Sequence, residues 1–234
     1  MARFGVIPRA VVAKWAETGR AVTAARERRL REAGLVEVLP GLGDSGRLVL
    51  CTRRGLQAIG CQELATPRFS PATLRHSATT ARVAVQLERA GHRVLSEREI
   101  EARERAEGCR VFSAQGRGGR YHRPDLVLLG DPPQALEVEL TDKSARRLDE
   151  ILRAWRRALA AGQFVRVRYL CAPRVLGYVE RAVQRTKTDA VMTDAVIDVE
   201  KLGESGGSPV LARGLSPFAL ARRGAGGYVS LSPL

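Results

Sequence analysis

Residues 122–144 read HRPDLVLLGDPPQALEVELTDKS, and this stretch decides the fold. Two apolar runs, 125–129 and 135–141, flank the turn signal Gly130-Asp131-Pro132-Pro133, which folds them back on each other as a hairpin. Side chains alternate along a strand. Glu137 and Glu139 therefore project to one side, while Val138 and Leu140 project into a core. The hairpin brings Asp125, which opens the first strand, beside Glu137. Acidic side chains gathered at strand ends repel one another, and a divalent cation relieves that repulsion. Asp125, Glu137 and Glu139 are thus candidate ligands for Mg²⁺, with Mn²⁺ as its substitute. Lys143, at the start of the next helix, is a candidate catalytic cation, and Glu97 or Glu99 can complete the acidic set.

Working outward, helices alternate with strands, which argues for an α/β sandwich. Downstream, 144–161 is an amphipathic helix through Leu148, Ile151, Leu152, Trp155 and Leu159. A strand over 164–171, a helix over 175–184 and a last strand over 195–199 follow. Upstream, a helix over 71–90 stops at Gly91, and Val94-Leu95 starts a strand. The charged stretch 97–107 carries no assigned element, and 113–120, with QGRGGR, reads as a mobile basic loop. Beyond Gly203 the Gly, Ser and Pro content predicts a loosely structured tail.

The first part of the chain has a different rhythm. Helices are expected over 8–16, with Val11, Val12 and Trp15 on one face, and over 20–33, with Val22, Ala25, Leu30 and Ala33 on the buried side. Strands over 35–39 and 47–51 flank a glycine-rich turn, and Thr52 caps a short helix. The turn, GLGDSGR, lacks the Gly-Lys-Ser/Thr ending of a phosphate-binding loop. The division is 1–66, 71–203 and the tail 204–234, with a Pro-flanked linker between the first two.

Composition narrows the partners. The formal charge is +14, spread as +6 up to residue 70 and +8 beyond it. A surface of this sign attracts polyanions, because each neutralised phosphate releases a counterion. Arg117, Arg120 and His122 are placed to meet phosphates. No run of eighteen apolar residues exists, and charges interrupt every apolar stretch near the start, so a cytoplasmic protein without a membrane span is expected. Cys51, Cys61, Cys109 and Cys171 form no C-x-x-C pair, which predicts buried free thiols rather than a zinc site.

Three resemblances follow from these residues. The phrase LREAGLVEV…GRLVLCTRRGLQAIG resembles winged-helix domains. That implies double-stranded DNA as partner, with Arg20, Thr23 and Arg26 on the groove-facing helix, Arg47 beside the wing, and a homodimer as one arrangement. Pro124-Asp125 followed by Glu137-Val138-Glu139 resembles the PD-(D/E)xK, or restriction-endonuclease-like, superfamily. The usual third-position Lys is Glu139 here, which puts catalysis in doubt and sets a binding scaffold beside a Mg²⁺-dependent nickase. Over roughly residues 1–200 the chain is similar to the replication-relaxation family of plasmids and integrated elements, which implies a role in plasmid replication or DNA relaxation.

Overall fold

The computed structural model describes residues 2–41, 46–66, 69–187 and 196–203. Its fold class is α/β. At its centre lies β8 (Gln134–Glu139), whose last five residues are all buried. A strand in the middle of a sheet covered on both faces must bury both of its alternating sets. β8 pairs antiparallel with β7 (Leu126–Leu128), Leu126 facing Leu136, and β7 pairs antiparallel with β4 (Val94–Ser96). On its other side β8 runs parallel to β9 (Arg166–Cys171), which runs parallel to β10 (Val196–Lys201). The sheet order is β10-β9-β8-β7-β4.

Two helices of strong apolar periodicity close one face. These are α6 (Ala145–Ala160) and α7 (Pro173–Arg185), connecting the parallel strands as the geometry of parallel pairing demands. Leu148, Ile151, Leu152 and Trp155 pack there with Ala135, Val167 and Tyr169. The other face, with Leu136, Val138 and Leu140, packs on α4 (Pro71–Arg89) through Ala81, Ala84 and Val85. Each fully buried side chain of Leu or Val size contributes about 1.5–3 kcal/mol.

The first sixty residues form a smaller unit. It contains β1 (Val6–Pro8), α1 (Arg9–Trp15), α2 (Arg20–Glu32), β2 (Val36–Leu39), β3 (Leu48–Cys51) and α3 (Arg53–Ala58). β3 pairs antiparallel with both β1 and β2. Phe4, Ile7, Val11, Val36 and Val49 belong to the same apolar cluster as Leu136 and Val138, so one core runs continuously into the larger sheet. Arg3 reinforces the junction by pairing with Glu88 and, at 2.9 Å, with Glu99.

Several expectations need correction. α2 does not bury Val22, which is 47 % exposed, or Ala33. It turns Thr23 and Glu27 inward beside the expected Leu30, and Glu27 is held by Arg9 at the start of α1. The charged stretch 97–107 is α5 (Glu97–Glu107), started by a capping box between Ser96 and Glu99 and ended by Gly108 at φ 66°. The expected basic loop is a short ladder, β5 (Ala114–Gln115) against β6 (Tyr121–His122), closed by the Gly116 amide donating to the Arg120 carbonyl at 2.6 Å. Of the four thiols, all free, Cys51 and Cys171 are buried, but Cys61 is half-buried and Cys109 exposed. The tail 204–234 and most of the glycine-rich turn after β2 lie outside the described residues. Among the described residues, no helix is long and apolar enough to cross a membrane.

Candidate functional site

The β7–β8 hairpin does what the alternation requires. Asp125 lies just before β7, and its Oδ2 accepts the backbone amide of Val138 at 2.7 Å. That bond fixes the Asp125 carboxylate beside the strand segment bearing Glu137 and Glu139. Both glutamates are 4 % exposed and share the α6 side of the sheet. On Glu137, Oε1 accepts from the indole Nε1 of Trp155 at 3.1 Å and meets Nε2 of His122 at 2.7 Å. Glu139 is paired with Lys143. Lys143 stays in place because its carbonyl accepts from the Tyr178 hydroxyl at 2.8 Å, while Arg174 donates to the Leu140 carbonyl at 3.0 Å. α7 thus pins the segment that follows β8.

A cleft of about 580 Å³ opens over these groups. Asp125, Glu137, Lys143 and His122 line it, and of the two upstream acids considered Glu97 lines it too. Glu99 does not, because its carboxylate is taken up by the Ser96 cap and Arg3. Glu139 sits behind Lys143 and is not part of the lining. Lys143 lines the cleft while its ammonium pairs with Glu139.

His76 is the residue that the sequence pattern did not single out. It reaches the cleft from α4, with Nε2 3.2 Å from Asp125 Oδ2 and 2.9 Å from the Val138 carbonyl oxygen. Burial alone would lower its pKa, but the Asp125 hydrogen bond and charge, the Val138 carbonyl and the Glu137 charge outweigh it and push it up to about 9. At neutral pH, His76 is therefore a cation seated between two oxygen atoms. The reciprocal effect holds Asp125 below the usual carboxylate range, since His76 and the Val138 amide together overcome its burial. His122 is raised in the same sense, with burial outweighed by the Glu137 charge and hydrogen bond. Glu97 is pushed up by burial and then by the Asp125 charge. Burial also raises Glu139, against the pull of Lys143.

A second missed group braces the rim. Glu104 on α5 is fully buried, accepting from Ser113 at 2.6 Å, from the Phe112 amide at 3.2 Å, and from Arg110 and Arg123 at 3.2 and 3.4 Å. A buried carboxylate with four donors fixes the arginines that it touches. Both arginines line the cleft.

The expected nucleic-acid contacts divide. Arg26 and Arg47 are exposed, and the Arg20 side chain lies outside the described residues. Thr23 is a correction: it is 5 % exposed, and its hydroxyl donates to the Gly19 carbonyl and meets Thr18, so it packs α2 rather than facing a ligand. Arg117 and Arg120 are exposed and line a neighbouring cleft, while His122 lines both clefts. Among the described residues, no group of three or more His, Cys, Asp and Glu side chains is disposed to hold a metal ion. Each strand-end carboxylate is turned on to a protein partner.

No protein-family model matches the chain, and neither a curated protein nor a solved structure matches it.

Proposed function

We propose that this protein binds DNA in the cytoplasm and cuts one phosphodiester bond at the β7–β8 cleft, as a nickase of the PD-(D/E)xK type in the replication-relaxation family. The observation that carries this reading is the joining of Asp125, Glu137 and Lys143 in one cleft whose rim bears Arg110 and Arg123. In this reading β1, α1, α2 and the β2–β3 hairpin serve as a winged helix, with exposed Arg26 on α2 toward duplex DNA.

The oxygen donors would suit Mg²⁺ once Asp125 and Glu137 release His76 and His122, since as they stand no three such groups among the described residues surround one ion. The Asp125 carboxylate and the Val138 carbonyl already share one cationic neighbour, the His76 imidazole, so the spot attracts positive charge. Asp125 and Glu137, with Glu97 beside them, would hold the ion, Lys143 is the cation beside it, and Glu139, an expected ligand, lies outside the lining. When bound, Mg²⁺ supplies an activated water and offsets charge on the scissile phosphate. The chain's own residues do the rest. Lys143, Arg110 and Arg123 draw the phosphate in, and Trp155 and His122 orient Glu137 through its Oε1.

Asp125→Ala and Glu137→Ala are expected to abolish Mg²⁺-dependent nicking of supercoiled plasmid while DNA binding persists. Nicking at the native rate by both variants would overturn the proposal.

One observation favours a second reading, a regulator or replication factor that binds without cutting. Asp125, Glu137 and Glu139 are each already matched by His76, His122 and Lys143. A purely binding protein would hold DNA equally well in EDTA and take up no Mn²⁺.

A further inference from the structure

Beside the acidic cleft lies a second one of about 450 Å³, and the two share Tyr121 and His122 as a common wall. Carboxylates and cations balance in the first cleft, whereas arginines dominate the second. Arg117 and Arg120 enter it from the β5–β6 turn, and Arg146 and Arg147 enter from the first turn of α6. Its one lining carboxylate, Glu150, bonds Arg146 at 3.1 Å. Three arginines remain for an outside anion. The turn that carries Arg117 and Arg120 is tied to α6, where Arg157 donates to the Gln115 carbonyl at 2.9 Å, and a Cβ added at Gly116 would come within 3.0 Å of the Arg120 carbonyl oxygen.

Tyr121 stands at the seam. It is 48 % exposed, an unusual state for a large ring on a strand, and the Arg110 guanidinium lies 5.7 Å from its centroid. Arg110 is in turn tied to the buried Glu104. The ring is therefore braced from within the protein while half of its surface faces solvent. A basic groove with an exposed aromatic ring is the arrangement that holds single strands, by phosphate contacts and by stacking on a base face. Inside a duplex both faces of a base are covered by its neighbours, so a base on Tyr121 must be unpaired.

We propose that the arginine-walled cleft and Tyr121 bind an unpaired nucleic-acid strand, its phosphates along Arg117, Arg120 and Arg147 and one base stacked on Tyr121. The inference rests on the nuclease-like reading only for what happens next door. It gives the strand a route past His122 into the acidic cleft.

The test is binding of a fluorescent oligo-dT, against a duplex of equal length, in EDTA so that cutting plays no part. Tyr121→Ala should weaken oligo-dT binding about tenfold and leave duplex binding nearly unchanged. Tyr121→Phe should bind as the native chain does. Arg146→Ala/Arg147→Ala, on an exposed helix start that tolerates substitution, should flatten the log–log salt dependence for oligo-dT by about 0.7 for each phosphate that is no longer neutralised. Native oligo-dT affinity in both Tyr121→Ala and the double arginine variant would overturn the inference, as would equal weakening for duplex and single strand. Either result leaves the plasmid-nicking test of Asp125 and Glu137 standing, so the two ideas fail separately.

Discussion

The two faces of β8 are built from alternate residues of one six-residue strand, yet they solve different problems. Leu136 and Val138 enter a core made with α4 and the N-terminal unit, where shape alone matters. Glu137 and Glu139 enter the α6 side equally buried, and there the carboxylate oxygens need donors. Burying a lone carboxylate is costly, so the sequence must supply partners from distant places: Trp155 from α6, His122 from β6 and Lys143 from the segment after β8. Both faces carry an apolar core, but only the α6 side has carboxylates set into it. The acidic face depends on those partners for its stability.

Substitutions on the two faces separate these roles. The largest expected effect is Glu137→Ala on plasmid nicking, a loss of at least about a hundredfold, since metal-held charge is worth several kcal/mol in the transition state. Leu136→Ala, on the other face, should lower the unfolding free energy by about 3 kcal/mol in denaturant melts, with nicking intact below the melting range. Trp155→Phe keeps the ring and removes one donor from Glu137, which should cost about 1–2 kcal/mol in the same melts. A smaller effect concerns pH. His76 is raised from 6.5 to about 9, so its contribution to stability is fully present below pH 6.5 and lost as pH rises through about 9. Metal-free native protein should lose stability across that interval, and His76→Gln should lose less. The smallest effect is at exposed Val22, where Val22→Thr should stay within about 0.5 kcal/mol of native in a thermal melt.

What could be read from the sequence follows the range of the interactions. The hairpin, the shared side of Glu137 and Glu139, and the placement of Lys143 are local and were legible from alternation and a turn. His76 was not, because nothing within α4 marks the residue that meets Asp125, 49 positions away. Glu104 was hidden in the same way, inside a stretch of charges that looked solvated. The helix itself was readable, since Ser96 and Glu99 form a capping box, and the charges obscured it. α2 misled because an Arg- and Ala-rich helix offers two weak stripes. Its buried one contains Thr23 and Glu27, satisfied by Gly19 and Arg9, rather than the apolar Val22.

The two clefts that share Tyr121 and His122 differ as sharply as the two faces of β8. One gathers Glu97, Asp125 and Glu137 around cationic partners, and the other gathers arginines around a single glutamate. The proposed function puts a cation in the first, and the further inference puts a phosphate chain in the second. Anomalous diffraction from crystals soaked in Mn²⁺ tests that assignment most directly. The expected result is a peak in contact with Asp125 and Glu137, absent from Asp125→Ala crystals. An empty acidic cleft at saturating Mn²⁺, in a protein that still binds DNA, would contradict it.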